Sequence, residues 1–362
     1  MPKVSVVVPA YNATAYIREC LDSLRAQTLQ DIEVIMINDG STDADLPGGG
    51  TLAIMQEYAE CDERFRVIDK PNSGYGANIN RGFSEATGEY LGILESDDFA
   101  EPDFLETLYT LAKEHDLDIV RGRFCYYWST PEVRNEVPGY IDHAPEGVLM
   151  DTGSLAASPT SADREPYFAM PAIWSALYRA SLIREHGITC LETPGASYQD
   201  TGFNLKAWMC AHRVMFTHKV LVHYRQDNEA SSIHSPGKVY TICDEFAEVD
   251  RWIAEEHPEM AAPMGPVLAK KRWDSYEWNF GRVGSEFKRE FAERWRDEFA
   301  PIARAGLVNT PLFTVTMHRM LQVLLRDVDL FVEWRTPLPA GASFSEKLHH
   351  KFVTWRALSS TR

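Results

Sequence analysis

Three carboxylates crowd into four consecutive residues, Glu95, Ser96, Asp97 and Asp98, where an apolar run breaks into a loop. Carboxylates packed so closely repel one another unless a cation offsets their charge, so the cluster is a candidate site for a hard divalent metal. A solvated acidic turn is the competing reading, because Asp and Ser are ordinary turn formers. The elements ahead of the cluster decide between the two.

VSVVVPAYN, Val4 to Asn12, predicts a strand covered on both faces and closed by a turn at Pro9, Tyr11 and Asn12. From about Ala13 the spacing becomes helical, with Ile17, Leu21 and Leu24 on one face and Asn12 or Thr14 as cap. A second strand, Glu33 to Asn38, runs into the small and acidic turn Asp39 to Asp43. Alternating strands and helices predict a parallel sheet, whose ligands bind beyond the carboxyl ends of the strands. The loops at Pro9, Asp39 and Asp97 all fall at such ends. KPNSGYGANINRG, Lys70 to Gly82, adds small residues that permit close backbone approach, and Lys70 and Arg81 as cations suited to phosphate. It matches neither the phosphate-loop nor the dinucleotide pattern, and plain turn chemistry is its alternative.

Taken in order, these segments resemble family 2 glycosyltransferases of the GT-A fold. The family's Pro-x-Tyr-Asn turn stands at Pro9 to Asn12, its Asp-Gly-Ser-Thr-Asp turn at Asp39 to Asp43, its Asn-rich glycine loop at Asn72 to Gly82, and its Asp-x-Asp cluster at Glu95 to Asp98. The resemblance implies a mostly parallel twisted sheet flanked by helices, binding a nucleoside-diphosphate sugar. Asp39 would meet the base, Asp97 would ligate Mn²⁺ or Mg²⁺, and Glu95 or Asp98 would assist at ribose or metal. Pro9, Tyr11, Asn12, Lys70, Asn80 and Ser96 complete the implied donor-binding set. Two departures stand out: Glu95 replaces the usual Asp, and Ile79 replaces an Arg, a phosphate contact for which Lys70 or Arg81 would substitute.

Three later segments extend the resemblance. LETPGASYQD, Leu191 to Asp200, is similar to the segment carrying the catalytic base, with Gln199-Asp200 where Glu-Asp is usual. Asp200 is the implied base, since the acceptor hydroxyl must lose a proton as it attacks. Its structural alternative is a cap for a helix over Thr201 to Cys210. Gln199 cannot take a proton and would orient the base or hold a sugar hydroxyl. HYRQDNEASS, His223 to Ser232, follows a predicted strand at Val214 to Val222 and is similar to a loop that closes over the diphosphate. Arg225 would bind phosphate there, with His223 either a third metal ligand or structural. AIWSALYRASLIREHG, within Met170 to Gly187, resembles the acceptor side, although Trp174 and Tyr178 at helical spacing also read as core.

The implied reaction is a single displacement with inversion, moving a hexose from UDP to a glycan or lipid-linked acceptor in surface-polysaccharide assembly. The rivals are a nucleotidyltransferase and a catalytically silent nucleotide-sugar binding module. Composition agrees: 362 residues and 44% hydrophobic content suit a soluble protein of two modules, read as a catalytic domain at 1–234 and a helical module at 235–362. A net charge of −17 would repel nucleic acid and anionic membrane surfaces unless basic residues cluster locally, and argues against nucleic acid as partner. Six widely spaced cysteines suggest reduced thiols and no zinc site. No secretory signal is expected at the amino terminus, and Thr310 to Leu325 is broken by His318 and Arg319, so no span is expected. The expected location is the cytoplasm or the inner face of the membrane. Helices are predicted over Val239 to His257, Pro266 to Phe299 and Leu312 to Val332, serving acceptor binding, self-association or packing. The cations Lys347, Lys351, Arg356 and Arg362 mark a solvated tail or a contact with anionic lipid.

Overall fold

Seven consecutive buried residues, Val4–Ala10 (β1), form the middle of the sheet, as β-branched side chains covered on both faces require. A computed structural model describes residues 1–46, 48–138, 144–154, 164–228, 238–338, 341 and 343–359. After β1 the chain passes through helix Ile17–Arg25 (α1), strand Ile32–Asp39 (β2), helix Gly50–Cys61 (α2), strand Phe65–Lys70 (β3), helix Tyr75–Glu85 (α3) and strand Tyr90–Ile93 (β4). These four strands are parallel, in the order β3-β2-β1-β4. Their carboxyl ends therefore share one edge.

The rest of the sheet is mixed, within the helix-flanked fold class expected. Next come a two-residue strand, Phe99–Ala100 (β5), helix Phe104–Glu114 (α4), strands Ile119–Trp128 (β6) and Arg134–Glu136 (β7), and a short helix, Glu165–Phe168 (α5). Strand Ala176–Arg179 (β8), helices Ala180–Glu185 (α6) and Gln199–Cys210 (α7), and strand Val214–Arg225 (β9) follow. Strand β8 runs antiparallel to β4 and β6, β9 parallel to β6, and β5 antiparallel to β9. Trp174 and Tyr178 are thus core residues, but of a short 3₁₀ turn and a strand rather than the helix that their spacing suggested.

The described residues fall into two compact units, one within 1–234 and the other within 235–362. The second consists of Thr241–Glu256 (α8), Ala261–Arg282 (α9), Lys288–Arg304 (α10), Val315–Arg326 (α11), Val328–Arg335 (α12) and Phe344–Ser359 (α13). Its core is aromatic: Trp273 and Trp295 lie 4.7 Å apart, ring centre to ring centre, with Phe299 5.4 Å from Trp273. These tryptophans are buried and unavailable as an acceptor platform, whereas Trp278 is exposed. The stretch predicted as one helix over Pro266 to Phe299 is two, because the backbone turns extended at Val283 and Gly284. No helix among the described residues is long and apolar enough to cross a membrane. None of the six cysteines forms a disulfide, and only Cys61 is exposed.

Candidate active site

Asn12 adopts a left-handed conformation, φ 50°, where β1 ends. That turn aims its side chain at the next loop, accepting from the Thr42 amide at 2.7 Å, while its own amide donates to Ser41 Oγ at 3.0 Å. Asp43 locks the same loops: it accepts from Thr14 Oγ1 at 2.5 Å, Thr51 Oγ1 at 2.6 Å and the Thr51 amide at 3.0 Å. Against the upward push of burial, these bonds hold its carboxyl below the usual range. Pro9 is buried at the strand end and Tyr11 is half exposed.

Asp39 is 2% exposed and receives the Ser73 amide at 2.9 Å, the Gly74 amide at 3.0 Å and the Lys70 ammonium. Lys70 also donates to Ser73 Oγ at 2.5 Å, so its charge is directed at Asp39 and the loop rather than at a free phosphate position. The Asp39 side chain serves here to fold the glycine loop over the end of β2.

That loop presses against the segment leading to Asp200. A Cβ on Gly74, φ 93°, would come within 2.3 Å of Thr193 O, and one on Gly76 within 2.2 Å of Leu191 O, so both positions must be bare. Tyr75, held between them, donates its hydroxyl to Glu95 at 2.5 Å. Asn80, expected at the donor, instead pins the same segment: it donates to Cys190 O at 2.9 Å and accepts from the Cys190 amide at 2.8 Å. Gln199, 1% exposed, donates to Thr193 Oγ1 at 2.8 Å and accepts from the Ser197 amide at 2.5 Å. It staples the loop rather than holding a sugar hydroxyl. Tyr198, φ 65°, then turns the chain into α7, with Asp200 in the first turn. The helix begins at Gln199 with Tyr198 at its N-cap and no side-chain cap bond, so Asp200 is not the cap.

At the acidic turn, the Asp98 amide donates to Glu95 O at 3.1 Å. Asp98, 1% exposed, accepts from the Arg225 amide at 2.8 Å, while its second oxygen is buried without a partner. Asp97 is partly exposed and accepts from Asn228 Nδ2 at 2.8 Å; Ser96 is partly exposed beside it. Two expectations change here. Strand β9 continues through Arg225, whose side chain, in a residue 3% exposed, bonds Asp97 O at 2.9 Å, Glu19 and Asp227, and lies over the Tyr16 and Tyr127 rings. With its fork engaged by protein groups, Arg225 braces the acidic turn rather than standing open for phosphate. His223 is likewise occupied: Nε2 lies 2.7 Å from Glu101, Nδ1 lies 3.1 Å from Asn135, and the ring stacks on Phe99 at 4.3 Å. Neither nitrogen is available to a metal. The serines expected beyond Arg225, at 231–232, lie outside the described residues.

Glu95, Asp97, Asp98 and Asp200 share one electrostatic neighbourhood. Burial pushes the Glu95 carboxyl up to about 8; the Tyr75 bond opposes this, and the charges of Asp97 and Asp200 add to the rise. Asp98 is pushed well above the usual range by burial and by Asp97, against the Arg225 amide. Leaving a buried carboxylate uncompensated costs several kcal/mol, so such a cluster stays protonated or recruits a cation. Hard oxygen donors with an unpartnered buried oxygen among them suit Mg²⁺ or Mn²⁺. Asp97 and Asp98 are the residues that could hold such an ion.

The sign of the resulting pH dependence is fixed. Between about 4.5 and about 8 folded Glu95 holds a proton that the unfolded chain releases, so its contribution to stability falls as pH rises through that window. In chelator, the melting temperature of Glu95→Gln should decline less over this range than that of wild type. Parallel melting curves from scanning fluorimetry would remove Glu95 as the buried titrating acid.

Two residues of the site were missed from sequence, Tyr75 and Tyr224. The Tyr224 hydroxyl is pushed up by burial and then by Asp98, Asp97, Asp200 and Glu95, so it faces the cluster, and its ring packs 5.1 Å from Trp174. A tyrosine flanked by glycines in a polar loop was the available signal for Tyr75. Alternation along β9, which sets Tyr224 opposite His223 and Arg225, was the signal for the other.

Parallel strands with a rim of polar loops at their carboxyl ends define an α/β ligand-binding fold, and comparison with known proteins specifies it. Residues 5–140 match the model for glycosyl transferase family 2. Glycosyltransferase GlyA of Streptococcus pneumoniae is 31% identical over 249 residues, which are 68% of this chain and 34% of GlyA. The chondroitin synthase of Pasteurella multocida is 42% identical over 106 residues, 29% of this chain and 10% of the synthase. EpsH of Bacillus subtilis, also described as a glycosyltransferase, is 35% identical over 62% of this chain and 61% of its own. The chain thus spans about a third of GlyA and under two thirds of EpsH. Among solved structures, residues 1–349 of TarS from S. aureus, in complex with UDP-GlcNAc, superpose with a TM-score of 0.70 at 21% identity, covering 91% of this chain and 90% of that one. Residues 5–140 thus carry the match to glycosyl transferase family 2, and the chain has a GT-A fold.

Proposed function

We propose that this chain transfers a hexose from a nucleoside diphosphate, UDP in the first instance, to a hydroxyl of a glycan or lipid-linked acceptor, with inversion, in the assembly of a surface polysaccharide. The observation that carries this reading is the shared electrostatic neighbourhood of Asp200, Glu95 and Asp97, with Asp200 in the first turn of α7. In support, TarS has been solved with UDP-GlcNAc and with UDP, and a mannosyltransferase from Pyrobaculum calidifontis with GDP-Man and Mn²⁺. Catalysis is assigned to residues 1–234 and a supporting role to the helical residues 235–362. The reaction is placed in the cytoplasm, where free thiols stay reduced.

In this reading Asp97 and Asp98 hold Mg²⁺ or Mn²⁺, which when bound neutralises charge on the departing diphosphate. Arg225 and Asn228 fix the turn that presents those carboxylates. Asp200 accepts the acceptor hydroxyl's proton as the oxygen attacks the anomeric carbon from the face opposite the nucleotide. The Tyr75 hydroxyl keeps Glu95 at the floor of the site, and the glycine loop under Asp39 shapes the nucleotide's seat.

The test is to offer nucleoside-diphosphate sugars with and without Mn²⁺ or Mg²⁺ and identify what is released. Metal-dependent free nucleoside diphosphate, UDP above all, is the expected product. Pyrophosphate would show nucleotidyl transfer instead, and tight donor binding with no turnover would show a silent binding module.

A further inference from the structure

We infer that helix α13 is a docking element for an anionic lipid surface. Its start is well specified: the Ser343 amide donates to Glu346 at 2.6 Å and the Glu346 amide to Ser343 Oγ at 3.2 Å, a reciprocal cap. One face holds it to the helical unit through Val353 and Ala357, 3% and 0% exposed, with His349 paired to Glu333 at 2.6 Å and Arg356 to Asp327 at 3.4 Å. The opposite face is apolar and bare: Phe344 is 82% exposed, Leu348 58%, Phe352 57%, Trp355 64% and Leu358 40%. At 3.6 residues per turn these five share an arc of about 120°. Soluble proteins seldom leave so continuous a stripe to water unless something covers it.

Charge identifies the occupant. In a chain of net charge −17, this helix carries Lys347, Lys351 and Arg356 against Glu346 alone among its described residues. Lys347 and Lys351 lie beside or within the stripe and form no ion pair among the described residues. A helix from a second copy, seated on the seam through Leu348 and Trp355, would have to bury Lys351. At a bilayer surface the same lysine extends to phosphate headgroups while its stem and the aromatic rings rest at the acyl boundary. Phe, Trp and Leu beside lysine in an otherwise acidic protein therefore fit an anionic membrane better than a protein partner.

The experiment is co-sedimentation of the full chain with vesicles of phosphatidylglycerol or of phosphatidylcholine. Wild type should pellet with the anionic vesicles, bind the neutral ones at least about tenfold more weakly, and be released by salt. The paired substitutions Phe352→Asp with Trp355→Asp, and Lys347→Glu with Lys351→Glu, should each weaken binding about tenfold or more, while UDP binding and melting temperature stay as in wild type. If the aspartate pair disturbs folding, the lysine pair alone decides, since both lysines are surface groups. Wild type that stays in the supernatant with anionic vesicles overturns the inference. So does a concentration-dependent dimer abolished by the aspartate pair, which would make a second copy the occupant. Neither outcome touches the transferase reading, which is measured by donor turnover.

Discussion

Asp200→Asn should lower turnover about a hundredfold or more while leaving UDP affinity within about twofold of wild type. Asparagine keeps the shape of the side chain and removes its ability to take a proton, so the loss should fall on kcat rather than on donor binding. A stability effect cannot mimic this. A carboxylate in the first turn of a helix contributes only about 0.3–1 kcal/mol through the helix dipole, and the N-cap position is Tyr198, not Asp200. Single-turnover assays beside thermal melts check it. Turnover within about tenfold of wild type would place the base elsewhere.

The second large effect is expected at Asp97. Calorimetric titration of wild type with UDP should show tighter binding when Mn²⁺ or Mg²⁺ is present, and Asp97→Ala should lose that gain, about a tenfold to hundredfold weakening in metal. Without metal the variant should bind UDP at least as well as wild type, because one negative charge near the diphosphate is gone. Asp97 also receives Asn228, so Asp97→Asn serves as the conservative companion that keeps an acceptor for that bond. An equal metal effect in all three proteins would remove Asp97 as a ligand.

Arg225 shows why side-chain type is a poor guide to role. Its planar fork suits phosphate, but the structure surrounds it with Glu19, Asp227, the Asp97 carbonyl and two tyrosine rings. Those partners come from α1, the acidic turn and β6, segments about a hundred residues or more from Arg225 along the chain apart from Asp227, and nothing local announces them. Asn80 and Gln199 follow the same rule: Asn80 was read as facing the donor and Gln199 as orienting the base or holding a sugar hydroxyl, and both staple the segment that carries Asp200. A buried amide must satisfy its hydrogen bonds, and the nearest backbone does so wherever the fold brings it.

By contrast, the parallel half of the sheet could be read directly. Runs such as VSVVV and EVIMI have few stable places other than a doubly covered strand, and loops that follow parallel strands must emerge on one edge. The sequence by itself therefore determined which strands lead, where the acidic turn falls, and that Pro9, Asp39 and Asp97 lie at strand ends. Only the tertiary structure decided which of the nearby polar groups face that rim and which face the protein. The reason is range: strand and turn preferences act over a few residues, whereas the partner of a buried charge is chosen by the packing of segments far apart in the chain.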